Sequence, residues 1–462
     1  METANMYIVS KTILSLFFIE ENNKYIERTL PIYRIIVSIM SERKRIYLCL
    51  AHMSGNEQKY IQEAFDTNWV VPLGPNVNAF EEELREFEGG QRACVVLNSG
   101  TSAIHLALVA LGVGAGDEVI CQSFTFCASA NPITYVGATP VFVDSERDTW
   151  NIDPVLMEEA IKDRISKTGR KPKAIMLVCM YGMPARMDQI LEIADRYEIP
   201  VLEDSAEAFG SRYRGRRCGT FGRYGVLSFN GNKMITTSGG GALVCPDMES
   251  KQRVMYFATQ AREAYPYYQH TEIGFNYRMS NICAGIGRGQ MTVAEDHIRH
   301  HQHVQALYEQ LLADVPGIAM HRQPADIDEA GQPIFDSNYW LCTMLLDPKL
   351  RVRGQENTYQ AAPQQAVGGA GNVLNATDKV HTDCEPNANV EAMRLFLDQA
   401  QIEARPLWKP MHKQPVFADA PAYVNGISEE LFKQGMCLPS GPCVTDDDVN
   451  YIVSKIKEAL GR

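Results

Sequence analysis

A single lysine, Lys233, lies in a segment of small and glycine residues, SFNGNKMITTSGGGALV, which runs from residue 228 to residue 244. A primary amine suits covalent catalysis, because it can bond to an aldehyde and afterwards transfer a proton. Glycine neighbours allow the backbone to approach a ligand closely. The alternative interpretation is a surface-loop lysine, since most lysines are exposed to solvent.

Two acidic residues, Glu203 and Asp204, directly follow the apolar pair Val201-Leu202, and Glu207 lies three residues beyond Asp204. A carboxylate at the end of a buried strand either faces water or holds a buried cation. Both interpretations remain open for this segment.

A glycine and hydroxyl residues precede the helical run AIHLALVAL, and they include Gly100 and Thr101. Free backbone N–H groups at a helix start favour an anion, and phosphate suits them best. The alternative is that the hydroxyls only cap the helix. Phe126, further along the chain, could stack on a flat ring or simply belong to the core.

Seven apolar runs are predicted to form the β-strands that position these residues. The runs are Ala93–Asn98, Glu118–Ser123, Pro140–Asp144, Ala174–Met180, Pro200–Asp204, Tyr224–Asn230 and Gly241–Cys245. Helical patterns lie between several of them, most clearly Thr101–Leu111 and Met187–Tyr197. This alternation predicts an α/β fold with a mostly parallel seven-stranded sheet, covered by helices on both faces.

Ligands of such sheets bind beyond the carboxyl ends of the strands, where the residues above would converge. A phosphate cradle, a ring-stacking aromatic, a carboxylate and a lysine together indicate a site for pyridoxal 5′-phosphate (PLP). The carboxylate would pair with the protonated ring nitrogen, and the lysine would hold the aldehyde and move a proton.

Composition limits the other function classes. The chain has 462 residues, with 45% hydrophobic and 22% charged residues, as in a soluble globular protein. A net charge of −12 argues against a nucleic-acid surface. The 12 cysteines form no CxxC pair or zinc-type spacing, which predicts small apolar fillers in a reducing cytoplasm and no metal site.

The chain divides into three predicted parts. Residues 1–45 are interpreted as a dispensable or wrongly assigned extension, because Met40 begins MSERKRIYL and the apolar block Thr12–Ile19 is too short to span a bilayer. A membrane-associated helix is the alternative. Residues 46–299 form the large PLP-binding domain, and residues 300–462 form a smaller C-terminal α+β domain.

The smaller domain contains a predicted helix at Val304–Val315, a strand at Tyr339–Leu346 and a helix at Asn389–Ala400. Residues 350–388 are rich in Gly, Gln, Asn and Ala and predict a long surface excursion. The end of the chain, from Ser428 to Leu460, is predicted to be helical apart from the loop LPSGPCVTDDD.

Long segments of the chain resemble the nucleotide-sugar aminotransferase family, the DegT/StrS type of fold-type I PLP enzymes. The resemblance runs from about Ile46 to the C-terminus and is carried by NSGTSAIHLAL, SFTFCASANPITYVGATPVFVD, YGMPARMDQI, EDSAEAFGS, SFNGNKMITTSGGGALV and GFNYRMSNICAGIGRGQ. These motifs occur in the family's order.

The resemblance implies a role for each matching residue. Lys233 would hold the cofactor covalently, Asp204 would pair with its ring nitrogen, and Glu207 would lie beside the ring. Three residues would hold the phosphate, namely Gly100, Thr101 and Ser228, while Phe126 would stack on the ring. Asn276 would reach the phosphate of a neighbouring subunit, which implies a homodimer with shared active sites.

The resemblance also implies the reaction, the transfer of an amino group from L-glutamate to a keto nucleotide-sugar. The segment EARPLWKPMHKQPVF resembles enzymes that aminate C4 of UDP-linked 4-keto-6-deoxy-N-acetylhexosamines for surface glycans. Its candidate sugar-binding residues are Arg405, Trp408, Lys409 and His412, since cations suit diphosphate and an aromatic suits a base or a sugar face. A packed turn between domains is the alternative, and C3 is an alternative amination position.

Two rival functions remain open. Some family members are dehydratases in which histidine replaces the lysine, so Lys233 favours amino transfer over a PLP-dependent dehydratase or lyase. The second rival is a sensor with the same fold that binds cofactor and sugar without turnover.

Overall fold

The structure is a computed structural model that describes residues 43–358 and 384–462, and the described residues from Ile46 onward belong to one unit. The described strands are β1 (Ala93–Leu97), β2 (Glu118–Gln122), β3 (Thr139–Val143), β4 (Ala174–Val178), β5 (Val201–Asp204), β6 (Arg212–Tyr213), β7 (Arg216–Arg217), β8 (Tyr224–Ser228), β9 (Gly241–Cys245), β10 (Ile318–Met320), β11 (Phe335–Asp336), β12 (Cys342–Leu346), β13 (Arg405–Pro406), β14 (Ala422–Tyr423) and β15 (Gly435–Leu438). The described α-helices are α1 (Glu57–Asp66), α2 (Pro75–Phe87), α3 (Gly100–Ala110), α4 (Cys127–Tyr135), α5 (Pro154–Thr168), α6 (Met187–Arg196), α7 (Met248–Ala258), α8 (Asn281–Met291), α9 (Ala294–Leu312), α10 (Ala388–Gln399), α11 (Ile427–Gln434) and α12 (Asp446–Ala459).

The large sheet has eight strands in the order β1-β9-β8-β5-β4-β2-β3-β14. Strand β9 runs antiparallel to both of its neighbours, and every other pair is parallel. The predicted α/β fold with its seven strands is therefore confirmed. The eighth strand, β14, was not predicted, because two residues are too few to show a pattern.

Because the sheet is buried on both faces, its strands are continuous apolar runs in the amino-acid sequence. Every residue of β1 is buried, and alternate side chains enter different cores. Val95 and Leu97 belong to the core that contains helix α3, whereas Val96 belongs to the core that contains Phe80 of α2. Because β2, β4, β5 and β8 run parallel to one another, their carboxyl ends lie along one edge of the sheet.

A second sheet has the order β10-β12-β15-β13, with all pairs antiparallel. Helices α9, α10 and α12 cover it and share one hydrophobic core with it. The predicted helices at residues 304–315 and 389–400 correspond to α9 and α10, and the predicted strand at 339–346 corresponds to β12.

One prediction in this part of the chain is wrong. Residues 435–437 were expected to be helical and Leu438 to begin a loop, but Gly435–Leu438 form β15, which lies between β12 and β13. The cause is tertiary packing, because this fully buried four-residue segment takes its backbone partners from two strands distant in sequence. Most of the predicted surface excursion, residues 359–383, lies outside the described residues.

The proposed boundary between residues 299 and 300 stays a prediction, and helix α9 runs through it without a break. The proposed N-terminal extension lies outside the described residues up to residue 42. Within residues 43–358 and 384–462, no helix combines the length and the apolar character needed to cross a bilayer.

Candidate active site

Lys233 is an interior residue and not a surface-loop lysine. Its side chain is only 13% exposed, and Nζ lies 3.5 Å from Oε1 of Glu207. The same Nζ lies 3.9 Å from the ring centroid of Trp340. An ion pair on one side and an aromatic face on another restrict where the amine can point.

Glu207 is held by backbone geometry. Its Oε2 accepts a hydrogen bond of 2.7 Å from the N–H of Tyr181, which has a left-handed φ of 53°. Burial raises the pKa of Glu207, and the nearby charge of Lys233 opposes that rise. The carboxyl group therefore gains most of its stabilisation as an anion from two groups, the Lys233 amine and the Tyr181 N–H.

Asp204 ends β5 as a buried carboxyl group with two protein donors. Its Oδ2 accepts from Ser129 Oγ at 2.7 Å, and its Oδ1 accepts from the Ala206 N–H at 3.1 Å. Burial raises its pKa, while these two hydrogen bonds and the charge of Lys233 lower it. Two carboxylate oxygens offer about four lone-pair sites, so capacity remains for a cationic partner.

Glu203, the neighbour of Asp204, has a different role from either expected one. It does not face water, and its oxygens accept from Ser205 Oγ and from the backbone N–H groups of Gly219, Phe221 and Gly222. Successive strand residues point to opposite faces of the sheet. One acid of the pair therefore fixes a loop, and the other remains available to a ligand.

The start of helix α3 has a capping residue and also N–H groups that the cap does not use. Ser99 caps the helix by accepting from the Ser102 N–H at 3.0 Å. The N–H groups of Gly100 and Thr101 have no hydrogen-bond acceptor within the described residues. A Cβ at Gly100 would lie 3.2 Å from the Cβ of Ser228, so the backbone and this hydroxyl residue form one tight cradle.

Phe126 is not a core residue. It is 48% exposed, and its ring centroid lies 5.1 Å from that of Trp408. The Trp408 ring also lies nearly parallel to that of Tyr181, with an angle of 11° and a centroid separation of 6.4 Å. The three aromatic rings therefore form one cluster, and the Tyr181 backbone connects this cluster to Glu207.

The structure brings one of the four candidate sugar-binding residues to these rings, namely Trp408. Arg405 lies in β13 and pairs with Glu403 at 2.6 Å. The side chain of His412 is only 6% exposed, with Nδ1 2.6 Å from Ser123 Oγ and Nε2 3.4 Å from Glu429 Oε1, which favours the packed-turn interpretation for this residue. The Lys409 carbonyl accepts from Gln414.

Asn276 precedes Tyr277, whose carbonyl accepts a hydrogen bond of 2.8 Å from the N–H of Asn98. Asn276 itself is exposed and forms an isolated antiparallel bridge with Thr259. Its expected contact with the cofactor of a neighbouring subunit stays a prediction.

Three contributing residues were not predicted. Ser129 and Tyr181 lie inside segments quoted for the family resemblance, but only the fold reveals their bonds to Asp204 and Glu207. Trp340 lies more than a hundred residues after Lys233 in the chain, and its Nε1 donates to the carbonyl of Asn232 at 2.7 Å. No periodicity in the sequence indicates that contact.

Replacing Ser129 with alanine should weaken PLP binding by about fivefold, because one hydrogen bond to Asp204 contributes about 1 kcal/mol. The bond lowers the pKa of Asp204, so its loss should move the acid limb of PLP binding to higher pH. Equilibrium dialysis across a pH series measures both effects. The matched control is Ser205→Ala, which removes a bond to Glu203 instead; equal effects of the two variants would contradict the assignment.

The residues fit pyridoxal 5′-phosphate. A buried carboxyl group with spare acceptor capacity suits a protonated ring nitrogen, and a restrained amine suits an aldehyde. Two unpaired N–H groups at a helix start suit a phosphate, and an exposed phenylalanine ring suits a flat heterocycle.

Comparisons with known proteins agree with this chemistry. The sequence profile of the DegT/DnrJ/EryC1/StrS aminotransferase family matches residues 51–370 and 358–457. EpsN of Bacillus subtilis (strain 168), provisionally described as a pyridoxal phosphate-dependent aminotransferase, is 44% identical over 414 residues, which cover 89% of this chain and 94% of EpsN.

Two further proteins support the same relationship. The GDP-perosamine synthase of Escherichia coli O157:H7 is 34% identical over 406 residues, covering 88% of this chain and 96% of the synthase. The crystal structure of S. venezuelae DesV has a TM-score of 0.72 at 27% identity and covers 91% of this chain and 100% of DesV.

Proposed function

The chain belongs to the DegT/DnrJ/EryC1/StrS aminotransferase family of PLP-dependent sugar aminotransferases, and we propose that it moves the amino group of L-glutamate to C4 of a UDP-linked 4-keto-6-deoxy-N-acetylhexosamine. The proposed product enters surface glycan biosynthesis. The observation that carries the proposal is the interior Lys233 amine, 3.5 Å from Glu207 in the site that also contains Asp204. A dehydratase of this family would have histidine at that position.

The proposed roles follow from these contacts. Bound PLP supplies an electron sink that stabilises negative charge beside the transferred amine. Lys233 Nζ takes the proton from the amino donor and later returns one to the sugar, acting as the base and the acid of the two half-reactions. Glu207 positions Nζ, and the Tyr181 N–H fixes Glu207. Asp204 holds the proton-bearing ring nitrogen by charge.

Trp408 is the best-supported sugar-site residue. Its ring lies next to that of Phe126, and its Nε1 is buried without an acceptor within the described residues. A buried donor that lacks a partner is costly, so a ligand oxygen at this point would be stabilising. Its backbone N–H, in contrast, is already fixed by the Tyr181 hydroxyl at 2.8 Å.

A homodimer and a cytoplasmic setting complete the proposal. Large apolar side chains remain exposed in two segments, and they include Val70, Leu73, Tyr265, Tyr267, Tyr268 and Ile273. Exposed apolar residues of this number support association with a second copy, which light scattering in solution would measure.

All 12 cysteines are free thiols, which supports a reducing compartment.

The visible absorption spectrum of the PLP-loaded protein tests the function. We expect L-glutamate to bleach the cofactor band and the UDP-linked keto-sugar to restore it, while a GDP-linked keto-sugar does not. Restoration by the GDP sugar alone would contradict the proposed nucleotide. A keto-deoxy product without amine would support the dehydratase, and a band indifferent to every amino acid would support the sensor.

A further inference from the structure

A cavity of about 460 Å³ lies between the end of α2 and the hairpin formed by β6 and β7. Its lining includes four arginines, Arg92, Arg212, Arg216 and Arg217, together with the carboxyl residue Glu88. We call it the arginine cavity. Its volume is in the range of small-molecule sites, which occupy about 300–1,000 Å³.

Three of the four arginines form no close ion pair within the described residues. Arg92 donates to the carbonyls of Gly222 and Arg223, Arg212 donates to the Gly215 carbonyl, and Arg216 donates to Thr220. Carbonyl and hydroxyl oxygens orient a guanidinium group without cancelling its charge. Within residues 43–358 and 384–462 no carboxylate lies within 4.0 Å of these three.

The fourth arginine has an acidic partner. Arg217 pairs with Glu295 and also donates to the Gly210 carbonyl at 2.7 Å. Its guanidinium group lies 4.0 Å above the ring of Phe87, a further residue of the lining. One wall of the cavity is therefore rigid, because the Arg217 side chain is fixed by three different contacts.

Glu88 supplies an independent observation that points to a ligand. Its side chain is buried, with 5% of the residue exposed, and neither carboxyl oxygen has a hydrogen-bond partner within the described residues. Burial raises its pKa to about 8, so at neutral pH this acid is mostly protonated. Buried polar groups without partners are rare in native proteins, and such a group needs an explanation.

We propose that the arginine cavity binds the phosphate group of a small molecule. The guanidinium groups of Arg92, Arg212 and Arg216 would supply charge-assisted donors, and the protonated Glu88 would donate one further hydrogen bond. None of these residues contributes to the contacts of Lys233, Asp204 or Glu207 described above, so the site is separate from the aminotransferase site. Free inorganic phosphate and the diphosphate of a nucleotide share this chemistry.

Isothermal titration of the PLP-loaded enzyme with inorganic phosphate, and separately with UDP, tests the proposal. The variant Arg212→Gln should weaken the binding of inorganic phosphate, of UDP, or of both by about tenfold or more, because it removes a charged donor. The matched control is Arg214→Gln on the same hairpin, since Arg214 pairs with Asp188 and does not line the cavity. If the variant loses phosphate binding, the ligand of the arginine cavity is the free ion. If it loses only UDP binding, the ligand is a nucleotide. If Arg212→Gln removes neither component, the proposal is wrong.

The pH dependence of sulfate binding provides a test on the unaltered enzyme, because sulfate does not titrate in the neutral range. The charged and titratable groups around Glu88 come from several neighbouring segments, and they are Arg212, Arg217, Glu203, Cys94 and Cys218. An anion favours the protonated acid, so affinity should fall as the pH rises through about 8.

The variant Glu88→Gln separates this titration from other effects of pH. Glutamine keeps a donor in place at every pH, so sulfate affinity should no longer fall on the alkaline side. If the unaltered enzyme binds sulfate equally well on both sides of pH 8, Glu88 does not contact the anion and the proposed donor set is wrong.

Discussion

Replacing Lys233 with alanine is expected to abolish turnover, with a loss on the order of 10⁴-fold or more. The variant removes both the covalent attachment of the cofactor and the group that moves the proton. Within the described residues, Lys233 is the lysine whose amine contacts Glu207. Steady-state assays and single half-reactions, each followed by absorbance, measure the loss. Multiple turnovers at the normal rate would contradict the lysine assignment.

Two control variants separate chemistry from charge. Lys233→Arg keeps a cation next to Glu207 and the Trp340 ring but provides no amine, so it should be as inactive as the alanine variant. Lys171→Ala removes an exposed lysine that binds the carbonyls of Tyr197 and Glu198, and it should retain full activity. Borohydride reduction followed by peptide mass spectrometry should locate the cofactor on Lys233 in the unaltered enzyme.

The large sheet could be predicted from the sequence because its strands are buried on both faces. Such strands form continuous apolar runs, and the predicted run Ala174–Met180 differs from the observed β4, Ala174–Val178, only at its end. The strands that escaped prediction are short, such as β14 and β15. Their backbone partners are distant in the chain, so nothing in the local pattern indicates them.

The part of the candidate site that lies at the ends of strands could be predicted from the sequence. Asp204 ends β5 and Ser228 ends β8, and adjacent parallel strands bring these ends together. The remaining contacts depend on features that no periodicity encodes. The N–H of Tyr181 reaches Glu207 from a left-handed conformation, and Trp340 reaches Lys233 from the second half of the chain.

Asp204 has opposite effects on the empty protein and on the PLP-loaded enzyme. Burial raises its folded-state pKa above the unfolded value. The stability linked to such a group is present below the unfolded pKa and is lost as the pH rises through the folded pKa. Above the folded-state pKa and without PLP, the buried anion therefore lowers the free energy of unfolding. A protonated ring nitrogen supplies the missing positive charge, so the same anion then stabilises the complex.

Glu203 makes a matched control, because it lies next to Asp204 on the opposite face of β5. Three backbone N–H groups and one hydroxyl occupy its oxygens. Glutamine keeps only one acceptor oxygen, so Glu203→Gln leaves buried N–H groups of the loop at Gly219–Gly222 without partners. This variant should lower the free energy of unfolding of the PLP-free protein and leave PLP affinity nearly unchanged.

The variant Asp204→Asn should show the reverse pattern. Without PLP its free energy of unfolding at neutral pH should equal or exceed that of the unaltered protein, because a buried charge is removed at constant shape. PLP binding should weaken by about 3 kcal/mol, more than a hundredfold, because the ring nitrogen loses its buried counter-ion. Denaturant unfolding with and without PLP, together with equilibrium dialysis, measures both quantities. Equal destabilisation of the PLP-free protein by Asp204→Asn and Glu203→Gln would contradict the assignment of Asp204 to the cofactor and would mean that it acts in the structure of the protein.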